Sequence, residues 1–202
     1  MKFFSLENPI WKFIGNLADF FLLSCLWYLC CLPVVTAGTA TTALYYVTLK
    51  MARGQEGQLI PAFFHSFKQN LKQATALWVG YLAVGILLVL DLVICLQTSS
   101  VFAGAMFFTS VVLLACWALF ITMLFPLVAR CDNTIGALFK MGIAMVLRNV
   151  MPVLAALMVT VAFFAVGVFV FWPVLLVAPG LASYCNAFLF NRIFDKYGMT
   201  LE

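Results

Sequence analysis

An all-α, polytopic transmembrane bundle is the fold class this sequence predicts, and three observations predict it. Of its 202 residues, 66% are hydrophobic and only 9% are charged, where a soluble domain carries about 25% charged residues. The mean hydropathy is +1.13. The few charges avoid long stretches: residues 20–49 and 149–191 carry none, and residues 73–129 carry Asp91 alone. Too few polar residues remain to cover a water-facing globule. A soluble domain, a disordered tail and a secreted disulfide scaffold are therefore excluded, and the lipid bilayer is the first partner the composition names.

The spans follow from the length of the charge-free stretches. A helix needs roughly 20 apolar residues to cross the hydrocarbon core. Residues 73–129 hold two spans, at about 74–96 and 102–127, broken at Gln97-Thr98-Ser99-Ser100. Residues 149–191 hold two more, at about 150–171 and 174–191, broken near Trp172-Pro173. Proline has no amide to donate and biases the residue before it away from helix.

The first stretch admits two readings. Pro33 and Gly38 interrupt it, among Thr36, Thr39, Thr41 and Thr42. It is either one kinked span, giving five in all, or a hairpin. The hairpin runs from about Phe13 to Leu32, turns through residues 33–38 and returns from about Thr39 to Arg53, giving six helices as three hairpins. Charge separates the readings, because Lys and Arg near span ends stay on the cytoplasmic side. With six helices and both termini inside, all 11 cations are cytoplasmic. With five, Lys2 and Lys12 fall on the wrong side. The cations are thus spent on orientation rather than on nucleic acid. The opening Phe3-Phe4 and Pro9-Ile10-Trp11 read as an interfacial segment.

Two segments between spans are amphipathic. In 61–73, Pro61 starts a helix with Phe63, Phe64, Phe67 and Leu71 on one face and His65, Lys68, Gln69 and Lys72 on the other. The first face, flanked by Lys68 and Lys72, is the candidate partner-docking surface. In 132–148, Asp132 or Asn133 caps a helix striped by Ile135, Leu138, Phe139, Gly142 and Met145. The segments end alike, in Leu71-Lys72-Gln73 and Leu147-Arg148-Asn149. Residues 1–202 form one integral membrane domain, with a weak duplication of 61–127 in 132–191.

Polar residues inside the membrane are costly and are the default functional candidates. Asp91 is the one charge within a clear span. At about 1.5 Å per residue from Lys72 it lies near the outer edge, as an interfacial carboxylate or a group pairing helices. Asn16 and Asp19 share a face of the first helix and are expected to meet the charges after the last span, with Asp19 paired to Arg192. Thr41 and Tyr45, in register with Thr48, form a stripe that joins helices by hydrogen bonds or lines a sugar site. The seven cysteines contain no CxxC, and His65 is the only histidine. They read as packing residues, with no metal site and no cofactor. No nucleophile–base pair, Walker loop, nucleotide fingerprint or HExxH occurs, so no enzyme is expected.

Leu26-Trp-Tyr-Leu-Cys-Cys-Leu-Pro-Val-Val-Thr-Ala-Gly38, Ala40-Thr-Thr-Ala-Leu-Tyr-Tyr-Val47 and Phe63-Phe-His-Ser-Phe-Lys-Gln-Asn70 resemble the YesL-like family of bacterial membrane proteins, a domain of unknown function. The resemblance is specific over roughly residues 18–73. Such proteins stand beside carbohydrate ABC importers, which implies an accessory role in sugar uptake, with permease or ATPase subunits as partners and the bacterial cell membrane as location. The alternatives are a small-solute transporter or channel, seen as a homo-oligomer in isolation, and a membrane assembly or sensing factor.

Overall fold

The computed structural model describes residues 9–55, 57–97, 101–131 and 133–199, with side chains from Leu17 onward except at 101 and 103. The side chains of Asn16 and Trp11, together with Phe3-Phe4, Thr98-Ser99-Ser100, Asp132 and the two chain ends, lie outside the described residues. Seven α-helices are described: α1 (Pro9–Cys31), α2 (Ala37–Met51), α3 (Leu59–Gln97), α4 (Val101–Val128), α5 (Ile135–Arg148), α6 (Val150–Phe169) and α7 (Ala178–Lys196), with 3-10 turns at Val34–Thr36 and Trp172–Leu176. The all-helical class is as the sequence predicts.

Residues 20–49 form a hairpin, not one kinked span. Helix α1 stops at Cys31, two residues before Pro33. The freed carbonyls are taken up locally: Thr36 Oγ1 donates to Cys30 O at 2.7 Å and to Pro33 O at 2.8 Å. Irregular backbone at membrane depth persists only when its polar groups are satisfied in this way. The returning α2 packs antiparallel on α1, with Trp27 Nε1 donating to Thr41 Oγ1 at 3.1 Å and Leu23 clustered with Leu44 and Val47.

One expectation is corrected. Residues 61–73 are not a separate helix, because they continue without a break into α3. Its 39 residues reach about 58 Å at 1.5 Å per residue, about twice the hydrocarbon thickness. No Pro or Gly stands between Phe63 and Gly80 to stop it, and one buried stripe runs through both parts: Phe63, Ser66, Asn70, Ala74, Leu77, Tyr81 and Gly85. The second amphipathic segment is separate. It begins at Ile135 after Thr134, and no side chain caps it.

Three helices, Leu59–Gln97, Gly104–Val128 and Val150–Phe169, are long and apolar enough to cross a membrane. Their outward faces carry the exposed Ile86, Leu87, Phe108, Met158 and Val168. Helices α2 and α7 differ in kind. Helix α2 buries ten of its residues, three of them threonines, and α7 buries Ser183, Asn186 and Asn191 among small residues. A helix surrounded by helices needs no apolar surface for lipid, and small and hydroxyl residues let its neighbours close in. A Cβ at Gly38 would lie 2.5 Å from Trp78 Cβ on α3, and one at Gly180 would lie 2.6 Å from Phe20 O on α1.

The two inner helices are built alike. Each follows a 3-10 turn with a proline before or within it, Pro33 and Pro173. A carbonyl of each turn is held by an aromatic donor from another helix: Trp78 Nε1 to Val34 O at 2.7 Å, and Tyr28 Oη to Leu175 O at 2.8 Å. Each ends at a glycine with φ +68°, Gly54 and Gly198. The next amide in each case reaches back to the last turn, Gln55 to Lys50 O and Met199 to Phe194 O, as in a Schellman end. The tripeptides 71–73 and 147–149 occupy unlike settings, mid-helix in α3 and the α5–α6 junction.

Candidate functional site: the seam between the inner helices

Helices α2 and α7 lie side by side and parallel. Tyr45 meets Asn186, Leu49 meets Asn191 and Arg53 meets Asp195, at sequence separations of 141, 142 and 142. A near-constant separation at three contacts over about two turns is possible only for parallel helices in fixed register. The contacts form a polar seam that begins in the bundle interior and ends among the cations.

At the inner end, Asn186 Nδ2 donates to Thr160 Oγ1 on α6 at 2.8 Å and to Tyr45 Oη at 3.4 Å. Asn186 is fully buried, and its Oδ1 has no partner among the described residues. The Tyr45 ring packs edge-on against Phe190. At the outer end two guanidinium groups converge. Asn191 Oδ1 accepts from Arg53 Nε at 3.1 Å and from Arg130 Nη1 at 3.3 Å, while Asn191 Nδ2 donates to Leu49 O at 3.1 Å. Asp195 pairs with Arg53 and lies 3.9 Å from Arg130, which also donates to Met199 O. The Arg130 side chain is 0% exposed and lies over the Phe194 ring. Burial, then the nearby Arg53, pushes its pKa down, and Asp195 pulls it back up. The guanidinium remains charged, so the acceptors around it are required. Asn149 Nδ2 closes the end of the seam on Tyr197 Oη at 3.1 Å.

The candidates read from the sequence fall in five places. Tyr45 is in the seam. Thr41 joins α1 to α2, and its neighbour Thr39 joins α2 to α3 through Thr75 Oγ1 at 3.0 Å. Asp91 accepts from the buried Ser110 and so ties α3 to α4. Asp19 does not meet Arg192. Among the described residues the ion pairs are those of Asp195 with Arg53 and Arg130; α1 meets α7 at Ser24–Gly180 and Phe20–Tyr184, a register that leaves Asp19 about two turns short of Arg192. Asp19 lines a cleft with Lys50 instead. On α3, Phe63 is buried and stacked on the half-buried Phe67, whereas Phe64, Lys68, Leu71 and Lys72 are exposed. Arg130, Thr160 and Asn186 are functional candidates that the sequence reading missed. The available signal was an Asn within a charge-free span, which is a default candidate wherever it occurs.

Residues 20–92 match the family described as Protein of unknown function, DUF624. The YesL-like resemblance read from residues 18–73 therefore stands at the level of that family. The DUF624 match takes in α1 from Phe20, all of α2 and α3 as far as Leu92, and so includes the α2 half of the seam. No curated protein and no solved structure matches the chain.

Proposed function

We propose that this protein is a non-catalytic accessory membrane protein that acts through its cation-rich end, and that its partners are permease or ATPase subunits of a carbohydrate ABC importer. The observation that carries this reading is the outer face of α3. While Phe63, Ser66 and Asn70 bury inward, Phe64, Lys68, Leu71 and Lys72 leave a stripe of alternating apolar and cationic side chains exposed at i, i+4, i+7 and i+8. An amphipathic helix face of this kind suits a groove or an acidic rim on another protein. The described cations gather where α2, α4 and α7 end, in the first part of α3, and on α5. The positive-inside rule makes that end, and both termini, cytoplasmic. The identity of the importer rests on the family resemblance. The test is Phe64→Glu together with Leu71→Glu, followed by purification in mild detergent. The double variant stays inserted with unchanged helicity and loses the co-purifying importer subunits. Unchanged recovery of those subunits removes the docking reading.

A second reading, a small-solute transporter, is favoured by the unpartnered Asn186 Oδ1 between three helices. Counterflow of sugars into liposomes carrying the pure protein tests it, and flux abolished by Asn186→Ala supports it.

A further inference from the structure

A cleft of about 500 Å³ opens at the cation-rich end between α1, the last turn of α2, residues 54, 55, 57 and 58, the start of α3 and Tyr184 on α7. This is within the usual volume range of ligand pockets. Its lining is chemically mixed. Asp19 and Lys50 place a carboxylate and an ammonium on the same cleft, yet they form no ion pair with each other. Lys50 Nζ spends one proton on Tyr46 Oη at 2.7 Å and sits 4.4 Å from that ring. An ammonium has three donors, so two remain. Gln55 and Gln58 add amides, and Phe20 and Tyr184, with ring centroids 4.8 Å apart, form an aromatic wall. Deeper in, Val47 and Leu59 make the lining apolar. Beside the lining residues, the same helices carry the exposed Leu17, Phe21 and Ile60.

We propose that this cleft binds the headgroup of a zwitterionic phospholipid, with its phosphate on Lys50 and its ammonium on Asp19. Three features select this ligand. A carboxylate and an ammonium that line one cleft without pairing with each other suit a headgroup that carries both charges. Lys50 is in the last turn of α2, at the level where headgroups meet a crossing helix, and basic pockets between membrane helices at that level hold lipid headgroups. The apolar part of the lining, Val47, Leu59 and Ala62, gives the first acyl carbons a surface that a free polar solute would not use. Asp19 rejects a purely anionic lipid by like-charge repulsion, which makes the carboxylate a specificity device. The site is independent of the docking face on α3, so its test does not decide the proposed function.

The experiment is native mass spectrometry of the full chain in mild detergent, titrated with dioleoyl-phosphatidylethanolamine, dioleoyl-phosphatidylglycerol or soluble O-phosphoethanolamine. The unmodified protein forms a 1:1 phosphatidylethanolamine adduct at least tenfold more populated than either competitor. Asp19→Asn removes the preference and admits phosphatidylglycerol equally. Lys50→Ala loses the adduct with both lipids. Gly57→Trp adds bulk at a lining position without altering a charge, in the open space that a Cβ at Gly57 would meet, and it also abolishes the adduct. Equal adducts for the two lipids in the unmodified protein overturn the proposal, and so does a preference that survives Asp19→Asn. If O-phosphoethanolamine binds as well as the lipid, the acyl surface is irrelevant and the proposal fails. Circular dichroism of each variant establishes that it is folded.

Discussion

Replacing Asn191 with alanine removes the residue on which the outer end of the seam converges. Its amide donates to Leu49 O at 3.1 Å and accepts from Arg53 at 3.1 Å and from Arg130 at 3.3 Å. The bond to the Leu49 carbonyl is worth about 1 kcal/mol. Arg53 is 22% exposed and recovers most of its loss from water. Arg130 has a side chain 0% exposed, so its lost acceptor is not replaced, and a hydrogen bond to a charged group is worth about 1.5–3 kcal/mol. The expected cost of Asn191→Ala is therefore about 2.5–4 kcal/mol, read from reversible unfolding in mixed micelles. Asn191→Asp keeps both acceptor contacts, so it recovers a large part of that loss. Asp195→Ala costs less, about 1 kcal/mol or below, because Asp195 is 59% exposed and surface ion pairs are worth little. If Asn191→Ala falls within about 0.5 kcal/mol of the unmodified protein, the range of an ordinary surface change, the seam is not what holds α2 to α7.

Three further outcomes follow from the packing. Gly38→Leu and Gly180→Leu each overpack an inner helix against a neighbour and lower stability by about 1–3 kcal/mol. Gly104→Leu, with nothing within 4 Å of its Cβ, stays within about 0.5 kcal/mol in the same assay. Asp91→Ala and Ser110→Ala each cost about 0.6–1.7 kcal/mol, the range for hydrogen bonds between membrane helices. Because the two residues share one bond, the double variant is no worse than either single one, and additive losses would show that they act separately.

Much of this fold was legible in the sequence. Charge-free length located α4 and α6, and Pro33 and Pro173 located the two turns that precede the inner helices. The continuity of α3 was also written there, since the stripe from Phe63 through Ala74 to Gly85 keeps one period. It was obscured because the lysines at 68 and 72 look like a boundary. The inward face was harder to assign. Phe64 and Leu71 are apolar yet point outward, whereas Ser66 and Asn70 are polar yet buried, with Asn70 Nδ2 bonded to Ser66 O at 3.0 Å. Burial there follows the position of α2 rather than hydrophobicity. The seam was the least legible part. It joins residues about 142 positions apart, and no local pattern in either helix announces a parallel partner. Arg130 read as an ordinary loop cation for the same reason: its burial is created by α7 and the Met199 carbonyl.

The parallel register of α2 and α7 is the central claim, and disulfide cross-linking tests it most directly. With the seven native cysteines replaced, cysteines are introduced at Arg53 and Asp195 in one protein and at Arg53 and Ala178 in a second, and both are oxidised in membranes. The account predicts a rapid intramolecular cross-link for 53 with 195 and none for 53 with 178. A cross-link between 53 and 178 without one between 53 and 195 would make the inner helices antiparallel and contradict the account.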